Sequence, residues 1–136
     1  MKQKLIIHPR EGINAVRLGM SRKEIHSEFG MPDDSFLKFP DDPNESEEYK
    51  KLALFVYYDQ NDRAKSIEAW DEALLFYNDI DLFNLKYKSA VRVFKELDPA
   101  LEVSSDSLIS RKLGIHFWYE DEIADDSRPS SVTVFK

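Results

Sequence analysis

The feature that most constrains the fold of this chain is an order of apolar segments that occurs twice. The matching segments are residues 18–29, 52–59 and 66–70 in the first half and residues 83–94, 113–120 and 131–135 in the second half. The offsets between them are about 65, 61 and 65 residues, so the two halves differ only in the lengths of their loops. The chain is therefore predicted to form one domain, 1–136, with two internal repeats, about 5–71 and about 72–136.

The clearest local signal is the start of a helix after Ser21. Ser21 and Glu24 have the spacing of a capping box, in which each side chain accepts a hydrogen bond from the backbone amide of the other residue. Gly30 permits a left-handed backbone at the end of the helix, and Pro32 prevents the helix from continuing. These signals predict a helix from about Arg22 to Phe29.

Runs of β-branched and aromatic residues predict the strands of the first half. A short strand is expected at residues 5–7. A hairpin is expected from residues 52–58 and 65–70, because the polar cluster at 59–62 between them is typical of a turn. By contrast, residues 33–51 are acidic and interrupted by prolines, and they are predicted to form an extended, solvated loop.

The second half has the same predicted order of elements. Residues 74–77 have the composition of a strand, and Asn84 is the expected N-cap of a second helix that ends before Pro99. A second hairpin, with a longer acidic turn, is predicted from residues 113–120 and 131–135. The expected fold class is α+β, with both hairpins joined into one antiparallel sheet and the helices packed on one face of it.

Alternation along the two hairpins divides the side chains of the predicted sheet between two faces. The aliphatic face, expected to be covered by the helices, carries Leu54, Val56, Tyr58, Ile67, Ala69, Ile115, Phe117, Tyr119, Val132 and Val134. The other face mixes serine, threonine and glutamate with Phe55, Tyr57, Trp70, His116, Trp118 and Phe135. Such a mixture is typical of surfaces that bind proteins. There are two alternatives to a binding surface. The chain's own 33–51 loop or a terminal strand covers these side chains, or a second copy of the chain packs against them.

The composition argues against several classes of function. The net charge is −7, and both halves carry an acidic excess, so neither nucleic acid nor an anionic membrane is an expected partner. The chain has no cysteine, its four glycines are too scattered for a phosphate-binding loop, and its three histidines show no ligand-like spacing. No catalytic residue, metal ion or cofactor is predicted. The apolar run at 5–7 is too short for a signal peptide, and the expected location is the cytoplasm.

A resemblance to a known family adds to this interpretation. The tandem order of helix and hairpin, with the helix opened by Leu18-Gly19-Met20-Ser21 and Glu24 and followed by Gly30-Met31-Pro32, resembles the β-lactamase inhibitory proteins. Each half also resembles the small lipoprotein of the outer-membrane β-barrel assembly machinery. The resemblance implies an exposed, slightly concave sheet face that binds another protein through Phe55, Tyr57, Trp70, His116, Trp118 and Phe135.

The function expected from these observations is stoichiometric binding of another protein, and the acidic charge of the chain favours a basic partner. Since the chain lacks the cysteines of the secreted inhibitors and of the lipoprotein, an intracellular inhibitor such as a toxin-immunity protein is the nearest class. The alternatives are a small-molecule-binding or enzymatic domain with a pocket among the same aromatic residues, and a homodimeric structural protein.

Overall fold

A computed structural model describes residues 2–136, which form two α-helices and two β-sheets. The α+β class expected from the sequence is confirmed. The expectation of one sheet is wrong, because five short strands near the starts of the two halves pair with one another instead of joining the hairpins. The strands of the first half are β1 (Lys4–His8), β2 (Gly12–Ile13), β3 (Val16–Arg17), β4 (Asp34–Phe36), β5 (Ser46–Tyr49), β6 (Leu54–Tyr58) and β7 (Ala64–Trp70). Those of the second half are β8 (Leu74–Tyr77), β9 (Ile80–Asp81), β10 (Glu102–Val103), β11 (Ser107–Ser110), β12 (Ile115–Trp118) and β13 (Ser131–Phe135).

The larger sheet has eight antiparallel strands in the order β10-β11-β12-β13-β7-β6-β5-β4. Each half contributes four consecutive strands, and the two sets meet where β7 pairs with β13 in the middle of the sheet. The predicted hairpins are the pairs β6–β7 and β12–β13. The smaller sheet has the order β3-β2-β1-β8-β9, and its strands β1 and β8 run parallel.

Part of the segment predicted as a solvated loop, 33–51, is strand. β4 pairs with β5, and β5 pairs with β6, so the larger sheet extends beyond the predicted hairpin. β5 has the sequence Ser-Glu-Glu-Tyr, whose two adjacent glutamates indicated solvent rather than a sheet. Glu47 is nevertheless only 3% exposed, because other polar groups surround its carboxylate. The loop prediction is therefore wrong for residues 34–36 and 46–49.

Helix α1 spans Arg22–Phe29, with the bounds that the sequence predicts. The capping box is present: the Glu24 amide donates to Ser21 Oγ at 3.2 Å, and the Ser21 amide donates to Glu24 Oε1 at 3.0 Å. Gly30 ends the helix with φ 85°, a left-handed backbone that favours glycine.

Helix α2 spans Tyr87–Leu97 and begins differently from the prediction. Its N-cap is Lys86, which makes no side-chain cap, whereas Asn84 lies in a short 3₁₀ helix, Leu82–Asn84. The prediction that Asn84 caps the helix is therefore wrong. The first amides of α2, those of Tyr87 and Lys88, donate instead to backbone carbonyls of residues 127 and 125 at 2.7 and 3.0 Å.

Both helices lie against the same face of the larger sheet. The ring of Phe29 in α1 is 5.4 Å from that of Tyr49, and the ring of Phe94 in α2 is 4.9 Å from that of Phe117. Strand β2 of the smaller sheet also contacts β7 and β13. All ten residues of the predicted aliphatic face are buried in one hydrophobic core that draws on both halves. Neither helix of the described residues packs on the opposite face of the larger sheet.

Candidate binding face

The six aromatic positions predicted as a binding site share the face of the larger sheet that points away from the helices. Paired residues of neighbouring antiparallel strands place their side chains on one face. Phe55 pairs with Glu68, Glu68 with Thr133, and Thr133 with His116. The other four positions are joined in the same way: Tyr57 and Phe135 through Ser66, and Trp70 and Trp118 through Ser131. These six residues are called the aromatic sheet face below.

One part of the aromatic sheet face is a cluster of rings. The Phe55 ring lies 4.8 Å from Trp70 and 6.3 Å from Tyr57. Phe36, on β4, packs edge-on against Phe55 at 5.5 Å. Sequence reasoning did not include Phe36, because its segment was predicted as loop. Only the pairing of β4 with β5 brings it to this surface.

A second part of the aromatic sheet face, which shares Tyr57 with the ring cluster, forms a groove of about 450 Å³. It is lined by Lys38, Tyr57, Ser66, Glu68, His116, Trp118, Ser131 and Thr133. Trp118 is the most accessible of the six aromatic positions, with 38% of its surface exposed. Phe55, Trp70, His116 and Phe135 are half-buried, and Phe135 lies outside the groove.

Tyr57 is covered by the chain itself. It is only 7% exposed, and Lys38 Nζ, from the loop between β4 and β5, lies 4.3 Å from the centre of its ring. Its hydroxyl donates to Glu68 Oε1 at 2.5 Å. Burial, together with the bond to the Glu68 carboxylate, raises the pKa of Tyr57 well above its usual range. The loop thus covers Tyr57, as one of the open alternatives anticipated, but leaves Trp118 accessible.

His116 and Ser107 lie close together but do not form a nucleophilic pair. His116 Nε2 is 3.0 Å from Ser107 Oγ, and the Ser107 hydroxyl donates to Asp106 Oδ1 at 3.1 Å. In this arrangement the serine proton is directed at Asp106 rather than at Nε2, which is the opposite of the arrangement in a serine activated by a histidine base. Burial lowers the pKa of His116, which keeps the imidazole neutral at pH 7.

A second group of polar residues, which sequence reasoning missed, lies on the helix-covered side. The buried carboxylate of Glu47 accepts from Arg22 Nη1 at 2.9 Å and from the Tyr58 hydroxyl at 2.6 Å, and it lies 2.8 Å from His26 Nε2. Arg22 also binds Asp62 at 2.6 Å. These five residues are called the polar cluster below. Arg22 and His26 are four apart on one helix face, a spacing that could have revealed them.

The polar groups of the polar cluster bond to one another and do not present a reactive group. Both oxygens of Glu47 are engaged, and the Arg22 guanidinium also lies 3.9 Å from the centre of the Tyr58 ring. Contacts with Asp62 and Glu47 raise the pKa of Arg22, which stays charged. The His26 side chain, which faces Glu47, is only 20% exposed.

No protein-family model, curated protein or solved structure matches this chain. Within residues 2–136, none of the helices combines the length and apolar character needed to cross a bilayer. The same part of the chain contains no group of three or more histidine, aspartate and glutamate side chains placed to hold a metal ion.

Proposed function

We propose that this protein is a non-enzymatic binding module that holds another protein through the aromatic sheet face. The observation that carries the proposal is the exposure of Trp118 beside a groove on the sheet face that no helix covers. Tryptophan and tyrosine offer a large contact area at a low cost in side-chain entropy, and such residues dominate the energy of protein interfaces.

Charge on the same face supports a basic partner. One row of paired residues across the sheet carries the carboxylates of Asp34, Glu48, Glu68 and Glu102. Arg111 forms an ion pair with Glu102, while the imidazole of His116, in the same row, is neutral at pH 7. The face therefore adds to the acidic character of the whole chain, which would speed association with a basic protein. The function we propose is that of a cytoplasmic inhibitor such as a toxin-immunity protein, the class that remains when the chain's lack of cysteine is set against the resemblance.

The test is affinity capture from a lysate of the organism that encodes the chain. Three baits are compared: the wild type, Trp118→Ala on the aromatic sheet face, and Ile6→Ala on the smaller sheet, where Ile6 is similarly exposed at 41%. We expect one protein to be retained in a 1:1 ratio by the wild type and by Ile6→Ala, and to be lost with Trp118→Ala. Thermal unfolding of all three baits confirms that both variants are folded.

Two results would contradict the proposal. Equal retention by all three baits would mean that any partner binds elsewhere. A wild-type dimer in solution that Trp118→Ala converts to a monomer would mean that the aromatic sheet face is the chain's own interface.

A further inference from the structure

Glu68, on the central strand β7 of the larger sheet, forms no ion pair with a basic side chain in the described part of the chain. Within residues 2–136, the Glu68 carboxylate accepts a single hydrogen bond, from the Tyr57 hydroxyl to Oε1. Among residues 2–136, the ion pairs closer than 4 Å join Arg22, His26 and Arg111 to other carboxylates. Glu68 nevertheless lines the groove and is half-buried there. Its second oxygen, Oε2, is thus available to a ligand in the groove.

The surroundings of Glu68 suit a cation. Trp118, which is 38% exposed, lines the groove, and the faces of aromatic rings attract cations. The Lys38 ammonium over the Tyr57 ring shows that the rim of the groove already accepts a positive group. Ser66, Ser131 and Thr133 also line the groove, and the hydroxyl oxygens of serine and threonine are able to accept hydrogen bonds.

We infer that the groove binds an arginine side chain of the partner, with Glu68 as its counter-ion and Trp118 as the ring against which it stacks. The inference rests on the proposed function, which supplies the partner. Arginine fits better than lysine, because its planar guanidinium stacks on an aromatic ring while its five N–H groups reach both a carboxylate and hydroxyls.

A variant of Lys38 can show whether the ligand in the groove is positively or negatively charged. Its side chain is exposed on the loop between β4 and β5, and its charge opposes a second cation in the groove. Removing that charge in Lys38→Met would strengthen the binding of a cation and weaken the binding of an anion. Removing the carboxylate charge in Glu68→Gln would have the opposite effects. Glutamine keeps an oxygen that accepts the Tyr57 hydroxyl, so the fold is preserved.

The probe for this test is N-acetyl-arginine methylamide, and its matched control is N-acetyl-citrulline methylamide, which has nearly the same shape without the charge. Binding is followed by the NMR shift of the Trp118 indole N–H in the full chain. We expect the arginine probe to bind with a dissociation constant on the order of 1–10 mM. Glu68→Gln should weaken it about tenfold, and Lys38→Met should strengthen it about twofold.

Two results would overturn the inference: equal binding of the citrulline probe, or binding of the arginine probe that Glu68→Gln leaves unchanged. Affinity capture with Glu68→Gln separates this inference from the proposed function. If Trp118→Ala loses the captured protein and Glu68→Gln retains it fully, protein binding stands and the arginine site is wrong. If Glu68-dependent binding of the arginine probe is seen without any captured protein, the arginine site stands and the proposed function does not.

Discussion

The two helices meet the larger sheet at corresponding places, but with different chemistry. The first residue of each helix lies against a buried tyrosine. In the first half, the Arg22 guanidinium stacks on Tyr58 at 3.9 Å, whereas in the second half the Tyr87 ring meets Tyr119 edge-on at 5.2 Å. The Tyr58 hydroxyl has Glu47 as its partner, while the buried Tyr119 hydroxyl has no hydrogen-bond partner among residues 2–136.

The neighbouring strands β5 and β11 also carry a charged residue in the first half and an apolar residue at the corresponding place in the second. Glu47 on β5 pairs with Val56, and Leu108 on β11 pairs with Phe117. Both side chains are buried, although one is charged and the other is apolar. The comparison teaches that this architecture accepts an ionic or an apolar contact at the same place. The fold therefore does not require the charges, but once they are buried each one requires its partners.

The largest effect is expected from breaking the polar cluster at its centre. Glu47→Leu leaves Arg22 and His26 without the carboxylate between them, and we expect the free energy of unfolding to fall by about 3 kcal/mol. Urea denaturation measures this change. Glu48→Leu is the matched control, because it alters the same residue type on the same strand but on the opposite face, and it should stay within about 0.5 kcal/mol of wild type.

The companion variant converts the first half to the chemistry of the second. Arg22→Tyr, His26→Val and Glu47→Leu together introduce the residues found at the matching positions Tyr87, Val91 and Leu108. Because no buried charge is then left alone, we expect about 2 kcal/mol of the loss in Glu47→Leu to be recovered. A triple variant less stable than Glu47→Leu would mean that the two places are not equivalent.

A smaller effect is expected at the helix starts. Ser21→Ala removes the side-chain cap of α1 and should lower the free energy of unfolding by about 1 kcal/mol. Lys86→Ala at the corresponding place in α2 should change it by less than about 0.5 kcal/mol, since Lys86 makes no cap bond. Urea denaturation of both variants checks the difference. Equal losses would show that α1 does not depend on its local cap.

The smallest expected effect is a loss of stability at acidic pH. Hydrogen bonds from Arg22 lower the pKa of Asp62 below its ordinary value of 3.8. A lowered folded-state pKa stabilises the protein above about pH 4, and this contribution is lost as the pH falls through the lowered value. Because the Asp62 side chain is 44% exposed, we expect this contribution to the free energy of unfolding to be less than about 1 kcal/mol. In Asp62→Asn, the free energies of unfolding measured by urea denaturation at pH 6 and pH 3 should differ less than in wild type. An unchanged difference would mean that Asp62 does not contribute to the pH dependence of stability.

The parts of the fold that the sequence predicted correctly are those with local or short-period signals. The capping box and Gly30 define α1, and period-two alternation assigns every residue of the aliphatic face to the core. The same alternation places the six aromatic positions together on the other face. These signals work because a helix cap and a β-hairpin are formed by residues close in the chain.

The sequence alone therefore determined one helix, two hairpins and the two faces of their sheet, because each depends on neighbouring residues. Tertiary structure decided the rest. The start of α2 is capped by carbonyls of residues 125 and 127, and Glu47 lies buried in a strand because Arg22, His26 and Tyr58 converge on it. Phe36 and Lys38 likewise reach the aromatic sheet face only through the pairing of β4 with β5. In each case the local sequence indicates a polar or solvent-exposed segment, and partners distant in the chain stabilise it. A local sequence pattern does not contain those long-range contacts.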